Sequence, residues 1–220
     1  VNIPKNGLRH RMSKVWDKIY ESDSAFFGDE PSHFATLCLR EMKTNNVKKL
    51  LELGAGQGRD SIFFASNGIQ VAALDYSNAG IEIILNKTKK EKKGLQVNSK
   101  TFDIRNALPF PNNYFDAVYS HMFLNMKFSQ DELNFIISEI RRVLKDGGFN
   151  FFSVRNNHDN FYRKGMEIEK GIYDINGFEI RFFTEKDIQD LLGGHFQLLW
   201  IKEMSEDPVT LYLICSKKNL

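Results

Sequence analysis

The residues best suited to chemistry are Glu52-Leu53-Gly54-Ala55-Gly56-Gln57-Gly58 and Asp75, which follows 17 residues after Gly58. An apolar run, Val47 to Leu53, leads into the glycines and a helical pattern follows them, so they lie where a strand turns into a helix. Glycines there permit positive φ and a close approach of backbone to ligand, and the free N–H groups at the helix start attract an anionic group. Asp75 ends the next apolar run, Gln70 to Leu74, and a carboxylate at that strand end can accept two hydrogen bonds from a ribose diol. The glycines alternate as GxGxG, whereas the dinucleotide fingerprint GxGxxG wants glycine where Arg59 stands. A tight turn with a surface Asp is the plain alternative, and two features at matched places argue against it.

Three further groups could carry chemistry. His121 directly follows a predicted strand and is the best-placed candidate for proton transfer, although an isolated His is more often a rim or core residue. His158-Asp159 could form a pair, yet adjacent loop residues rarely converge on one atom. Arg155, Tyr162 and Arg181 fall in a polar, aromatic stretch, residues 155 to 183, that has little clear period and suits a ligand-lining segment. Cys38 and Cys215 lack any metal or disulfide spacing, so no metal site is expected.

The elements that must position these residues alternate between short apolar runs and amphipathic stretches from residue 46 onward. Val47 to Leu53, Gln70 to Leu74, Val97 to Phe102, Phe115 to Tyr119 and Phe149 to Val154 read as strands. Gly58 to Ser66, a helix after the N-cap candidate Ser77, and Asp131 to Leu144 read as the helices between them. Thr184-Glu185-Lys186-Asp187 opens a short helix closed by Gly193-Gly194, and Phe196 to Lys202 and Val209 to Cys215 read as two final strands around Glu206-Asp207-Pro208. The expected fold is α/β: a Rossmann-like, doubly wound, seven-stranded, mostly parallel sheet with an antiparallel final strand and helices on both faces.

Composition narrows the partners. With 220 residues, 42% hydrophobic, 26% charged and a net charge of +2, the chain can bury a core and has no field that calls for nucleic acid or an anionic membrane. The Lys-rich stretch Lys87 to Lys93 suits a helix C-terminus and a solvated face. No signal-peptide run or spanning segment is read, and the cysteine usage suggests a reducing cytoplasm. The 19 Phe point to a large core, an apolar pocket, or both: Phe26, Phe27, Phe34, Phe123, Phe161, Phe178, Phe182 and Phe183 fall in segments expected to cover a site.

The motifs together resemble the class I S-adenosylmethionine-dependent methyltransferases over most of the chain, most clearly across residues 46 to 155. Leu51 to Gly58 looks like that family's first motif, Ala73-Leu74-Asp75-Tyr76-Ser77 like its ribose-binding strand end, and Phe102-Asp103-Ile104 like its adenine segment. Leu108 to Val118 resembles ubiquinone- and menaquinone-type members, and Gly58-Arg59-Asp60-Ser61 the tellurite and thiopurine branch. Asp146 stands where that family usually has proline, a change of turn alone.

The resemblance implies S-adenosyl-L-methionine as cofactor and a single domain spanning 1–220, divided into an N-terminal helical cap (1–45), a cofactor-binding half (46–155) and an acceptor-side half (156–220). Gly54, Ala55, Gly56 and Gly58 would wrap the cofactor's methionine part, with Glu52 near the ammonium and Arg59 as a further cofactor contact. Asp75 would hold the ribose, Tyr76 would flank the adenine, Asp103 and Ile104 would contact the adenine edge, and Ser77 is a further cofactor contact. Ser120, His121 and Met122 would face the sulfonium, and Tyr20, from a segment that closes over the site, would touch the cofactor. Phe27, Arg155, Tyr162 and Arg181 are the acceptor-binding candidates, and His121 the candidate catalytic residue.

A methyl on a sulfonium is already activated, so aligning a nucleophile and excluding water can suffice without a catalytic dyad. Ser120-His121-Met122-Phe123 replaces the motif of amino-methylating DNA enzymes, and the paired glutamates of protein arginine methyltransferases are missing. A small-molecule acceptor is the class left, with the methylated atom and the oligomeric state open. A nicotinamide-dependent oxidoreductase and a non-catalytic S-adenosylmethionine-binding protein are the competing readings.

Overall fold

The computed structural model describes residues 15–90, 94–206 and 208–219; the end of the Lys-rich stretch and Asp207 of the last turn lie outside the described residues. The chain divides into two compact units, Val1–Ile104 and Arg105–Leu220.

In the first unit, α1 (described over 15–22) and α2 (His33–Thr44) precede three strands, β1 (Lys49–Leu53), β2 (Gln70–Asp75) and β3 (Val97–Thr101). The strands are parallel, with Leu51 beside Ala72 and Ala73 beside Ser99. Parallel pairing needs crossovers, supplied by α3 (Arg59–Ser66) and α4 (Asn78–Lys90). Ser32 caps α2 by accepting from the Ala35 N–H, and Ser77 caps α4 by accepting from the Gly80 N–H at 3.0 Å, as its position predicts. Apolar side chains of α2, β1, α3 and α4 fill the core: Phe34, Met42, Leu50, Leu51, Phe64 and Ile84 are fully buried.

The second unit begins its regular structure with β4 (Phe115–His121), α5 (Gln130–Val143) and β5 (Leu144–Arg155). The stripe Leu133, Ile136, Ile137, Ile140 and Val143 is buried, and a capping box between Ser129 and Glu132 starts the helix. Leu144, expected at the end of the helix, is already extended and pairs with Phe115, while the next residues bulge out until Phe149 rejoins Ala117. Residues 166 to 181, read as aperiodic, form a separate antiparallel sheet of β6 (Met166–Glu169), β7 (Ile172–Ile175) and β8 (Phe178–Arg181). Asn176-Gly177, with φ of 54° and 87°, makes the tight β7–β8 turn. α6 (Glu185–Leu192) opens on the expected Thr184–Asp187 capping box, and β9 (Phe196–Glu206) and β10 (Val209–Lys218) close the chain.

Seven strands follow the order β3-β2-β1-β4-β5-β10-β9, with β10 antiparallel to both of its neighbours. This is the expected Rossmann-like sheet with its antiparallel final strand. The phenylalanines split: Phe34, Phe182 and Phe183 are core, whereas Phe26, Phe27 and Phe178 stay exposed. Among the described residues no helix is long and apolar enough to cross a membrane, and no cluster of His, Cys, Asp and Glu could hold a metal ion.

Candidate active site

The glycine loop is fixed to the end of β2. Gly54 and Ala55 donate their N–H groups to the Leu74 carbonyl at 2.8 and 3.1 Å. Gly56 and Gly58 have φ of 53° and 81°, and space as well as conformation demands glycine: a Cβ on Gly58 would lie 2.4 Å from the Ile84 side chain, and one on Gly56 2.5 Å from the Tyr20 hydroxyl. The carboxylate of Asp75, a half-buried residue, accepts from the Gly56 N–H and the Ser77 N–H, each at 2.7 Å. Desolvation pushes its carboxyl above the usual range, with those N–H groups pulling against it. Glu52, at the end of β1, is 3% exposed and accepts a hydrogen bond from the Ser61 hydroxyl. Burial first, then the charge of Asp60, holds its carboxyl well above the usual range.

Around this loop lies the N-terminal segment. Tyr20 is buried, stacked on Trp16 at 5.8 Å, and its hydroxyl is held above its usual range by burial and by Asp75. The Gln57 side chain grips the chain at two points, accepting from the Phe27 N–H at 3.0 Å and donating to the Gly28 carbonyl at 2.7 Å. Arg59 donates to the Phe27 carbonyl at 2.8 Å and lies 5.7 Å from that ring, so two residues expected in different roles meet each other. Asp17 accepts from the Ser77 hydroxyl at 2.6 Å and the Ala79 N–H at 3.2 Å, and Asp60 takes both the N–H and the hydroxyl of Ser32 at 2.8 Å. Asp17, Gln57, Asp60 and Ser61 are absent from the expectations. Gln57, Asp60 and Ser61 carried a signal in their place within or directly after the glycine motif, but Asp17 had none. Tyr76 and Asp103 are partly exposed and Ile104 is buried; Phe102 donates to the Asp75 carbonyl at 2.8 Å, which brings the Phe102-Asp103-Ile104 segment beside the Asp75 strand end.

In the second unit, Ser120 is buried at the end of β4 and His121 is partly buried. The His121 Nδ1 is hydrogen-bonded to the Ser153 hydroxyl at 2.7 Å, and that hydroxyl also accepts from the Met122 N–H at 3.0 Å. Arg155 is buried and gives Nε and Nη2 to Asp159 at 2.9 and 2.6 Å. Asp159 therefore does not pair with His158, whose Nδ1 meets Glu203 at 2.5 Å. Tyr162 packs its ring 5.7 Å from both Tyr173 and Phe182, within the small cluster under the second sheet. Arg181 donates from Nη2 to the Phe128 carbonyl at 2.8 Å, and desolvation holds it below its usual range.

A family model described as a methyltransferase domain matches residues 50–148, from β1 to the start of β5. The probable S-adenosyl-L-methionine-dependent methyltransferase TehB of Haemophilus influenzae is 35% identical over 105 residues, which are 46% of this chain. The match takes in 34% of that relative's length, so the chain spans about a third of it. A crystal structure of a SAM-dependent methyltransferase from Methanosarcina mazei superposes with a TM-score of 0.69 at 26% identity, covering 78% of this chain and 92% of that one. These matches support the class I S-adenosylmethionine-dependent methyltransferase family, with the domain itself matched over residues 50–148. At 16% identity, the 1,6-didemethyltoxoflavin-N1-methyltransferase of Burkholderia thailandensis shows the fold alone, with a TM-score of 0.76 over 100% of this chain and 94% of its own.

S-adenosylmethionine is the cofactor of this methyltransferase family, and the donor set of the first unit fits it. Glu52 and Asp75 end neighbouring strands with no ion-pair partner among the described residues. A cation for one carboxylate and a diol for the other would answer both.

The Gln57 clasp makes a direct prediction for the N-terminal segment. Gln57→Ala removes two hydrogen bonds, each contributing about 0.5–1.5 kcal/mol net, and is expected to speed hydrogen exchange at the Phe27 amide about tenfold. An unchanged exchange rate would mean that Arg59 and the Trp16 stack hold the segment without it.

Proposed function

We propose that the chain works as one methyltransferase domain, moving the methyl group of S-adenosyl-L-methionine in line to a small-molecule acceptor and releasing S-adenosylhomocysteine. The observation that carries this reading is the pair of carboxylates, Glu52 and Asp75, at the two strand ends that flank a glycine loop with no room for a Cβ.

The bound cofactor supplies an activated methyl on a neutral leaving group, and the remaining work is binding, alignment and exclusion of water. Glu52 takes the ammonium, Gly54, Ala55, Gly56 and Gly58 surround the methionine part with Arg59, Asp75 takes the ribose hydroxyls, and Tyr76, Ser77, Asp103 and Ile104 contribute the adenine end. Tyr20 covers the cofactor. For the second unit the reading assigns Ser120, His121 and Met122 to the cofactor and acceptor side, with His121 as proton acceptor where the acceptor must lose a proton. A small molecule is favoured because the toxoflavin-type neighbour is a methyltransferase crystallised with 1,6-didemethyltoxoflavin.

The test is calorimetry with S-adenosylmethionine. Asp75→Ala is expected to weaken binding at least a hundredfold, since it removes the acceptor of the diol and frees the Gly56 N–H. Undiminished affinity would sink the assignment. A thermal-shift comparison with NAD separates the oxidoreductase reading, and labelled-methyl transfer into a metabolite pool separates the non-catalytic one.

A further inference from the structure

Among the described residues, five buried side-chain atoms of the second unit have no hydrogen-bond partner: the Nε of Arg141, both amide atoms of Asn150, the Oδ1 of Asn125, a residue 3% exposed, and the Nε of Arg181; only the last two lie on segments bonded to each other. The Arg181 N–H donates to the Asn125 carbonyl at 2.8 Å, Met126 bridges Ile180, and Lys127 pairs with Glu179 at 2.6 Å. Because Arg181 Nη2 is committed to the Phe128 carbonyl, the guanidinium is anchored at one corner and its Nε–H is a fixed, unused donor. Glu169 and Asp187 act on Arg181 only through space, with no carboxylate at ion-pair distance among the described residues. A fold gains nothing from leaving a donor and an acceptor buried and unmatched. A ligand with the complementary pair would satisfy both.

Resting on the methyl-transfer reading, we propose that Asn125 and Arg181 recognise the methyl acceptor, and that the acceptor is a small molecule carrying an oxyanion beside an O–H or N–H donor. The oxyanion takes the Arg181 Nε–H, and the neighbouring donor is received by Asn125 Oδ1. Asn125 follows His121 by four residues, so the loop that carries the proton-transfer candidate also carries the acceptor's anchor.

The probe is salicylate, whose carboxylate neighbours a hydroxyl, compared with the neutral 2-hydroxybenzyl alcohol. Arginine Nε–H signals of the full chain are followed by proton–nitrogen NMR in the presence of S-adenosylhomocysteine, with Arg181→Lys identifying the relevant signal by its loss. Salicylate is expected to shift that signal and to bind at least tenfold more tightly than the alcohol. Asn125→Leu should weaken salicylate at least tenfold and raise the Tm by about 2–4 °C, because it deletes an unmatched buried amide oxygen. An unmoved Arg181 signal, equal binding of the alcohol, or an Asn125→Leu variant with lowered Tm and unchanged salicylate binding would each overturn the proposal, the last by showing an amide matched by water alone. Heat on adding S-adenosylhomocysteine to the same protein reports separately on the methyl-transfer reading, which fails if none is released whatever salicylate does.

Discussion

Asp159→Ala is expected to destabilise the protein by about 3–5 kcal/mol, the range for breaking one side of a buried ion pair. Asp159 Oδ1 accepts from Arg155 Nη2 at 2.6 Å and the Phe161 N–H at 2.8 Å, while Oδ2 accepts from Arg155 Nε and the Thr210 N–H, both at 2.9 Å. Removing the carboxylate strands a guanidinium in a residue 6% exposed, together with two main-chain donors. The guanidinium lies 5.2 Å from the centre of the Phe161 ring and 5.1 Å from that of Phe182, contacts that cannot replace four hydrogen bonds. For a chain of this size the loss corresponds to a Tm lowered by about 10 °C or more. The double variant Arg155→Met, Asp159→Leu should recover most of it, since a packed apolar pair avoids the desolvation that the ions incur. Urea midpoints measure both. A single-variant loss under about 1 kcal/mol would be that of an exposed pair and would contradict the burial.

That pair also shows where sequence reading reaches its limit. Arg155 reads as a candidate acceptor ligand because it is a cation in a polar, aromatic stretch, and nothing in the linear order says that Asp159 curls back on it. The core strands and α5 are legible because their apolar residues recur with periods of two and 3.6, and the glycine loop because Gly56 and Gly58 must keep clear of Tyr20 and Ile84. The three-stranded sheet is not, because strands of four residues such as Met166–Glu169, largely exposed, are too short for their alternation to stand out from the loop around them. Only Asn176-Gly177, a tight-turn dipeptide, betrays it. The Ser129–Glu132 capping box is equally readable in the sequence, three residues apart ahead of an apolar stripe.

For the site the division is similar. Glu52, Asp75 and the glycines can be found from spacing, since they occupy strand ends set by topology. Gln57's grip on residues 27 and 28, or Asp17's on Ser77, joins residues far apart in sequence, and contacts at such separations leave no local pattern. The unmatched atoms of Asn125 and Arg181 are further still from the sequence, because a missing partner is visible only when every neighbour has been placed.

Glu52→Gln is expected to change both the pH dependence of stability and the protons exchanged on cofactor binding. Burial, then Asp60 and Asp75, raise the Glu52 carboxyl well above 4.5, with Ser61 and Arg59 pulling it down. With the folded pKa above the unfolded one, the native state holds a proton that the unfolded chain has released. The contribution is then full below the unfolded value of 4.5 and is lost as pH rises through the folded pKa. Every pH unit separating the folded from the unfolded value amounts to about 1.4 kcal/mol, so the wild-type Tm should fall from about pH 5 upward more steeply than that of Glu52→Gln, which is neutral throughout. A cation placed beside Glu52 reverses the preference, because a carboxylate facing an ammonium favours its charged form. Calorimetry in buffers of differing ionisation enthalpy should therefore find close to one proton released per S-adenosylmethionine bound in that window for wild type and none for Glu52→Gln. Losing a charged hydrogen bond of about 1.5–3 kcal/mol should also weaken the variant's affinity roughly ten- to hundredfold. Equal proton release in the two proteins would mean that Glu52 stays protonated beside Ser61 in the complex, and that the ammonium is held elsewhere.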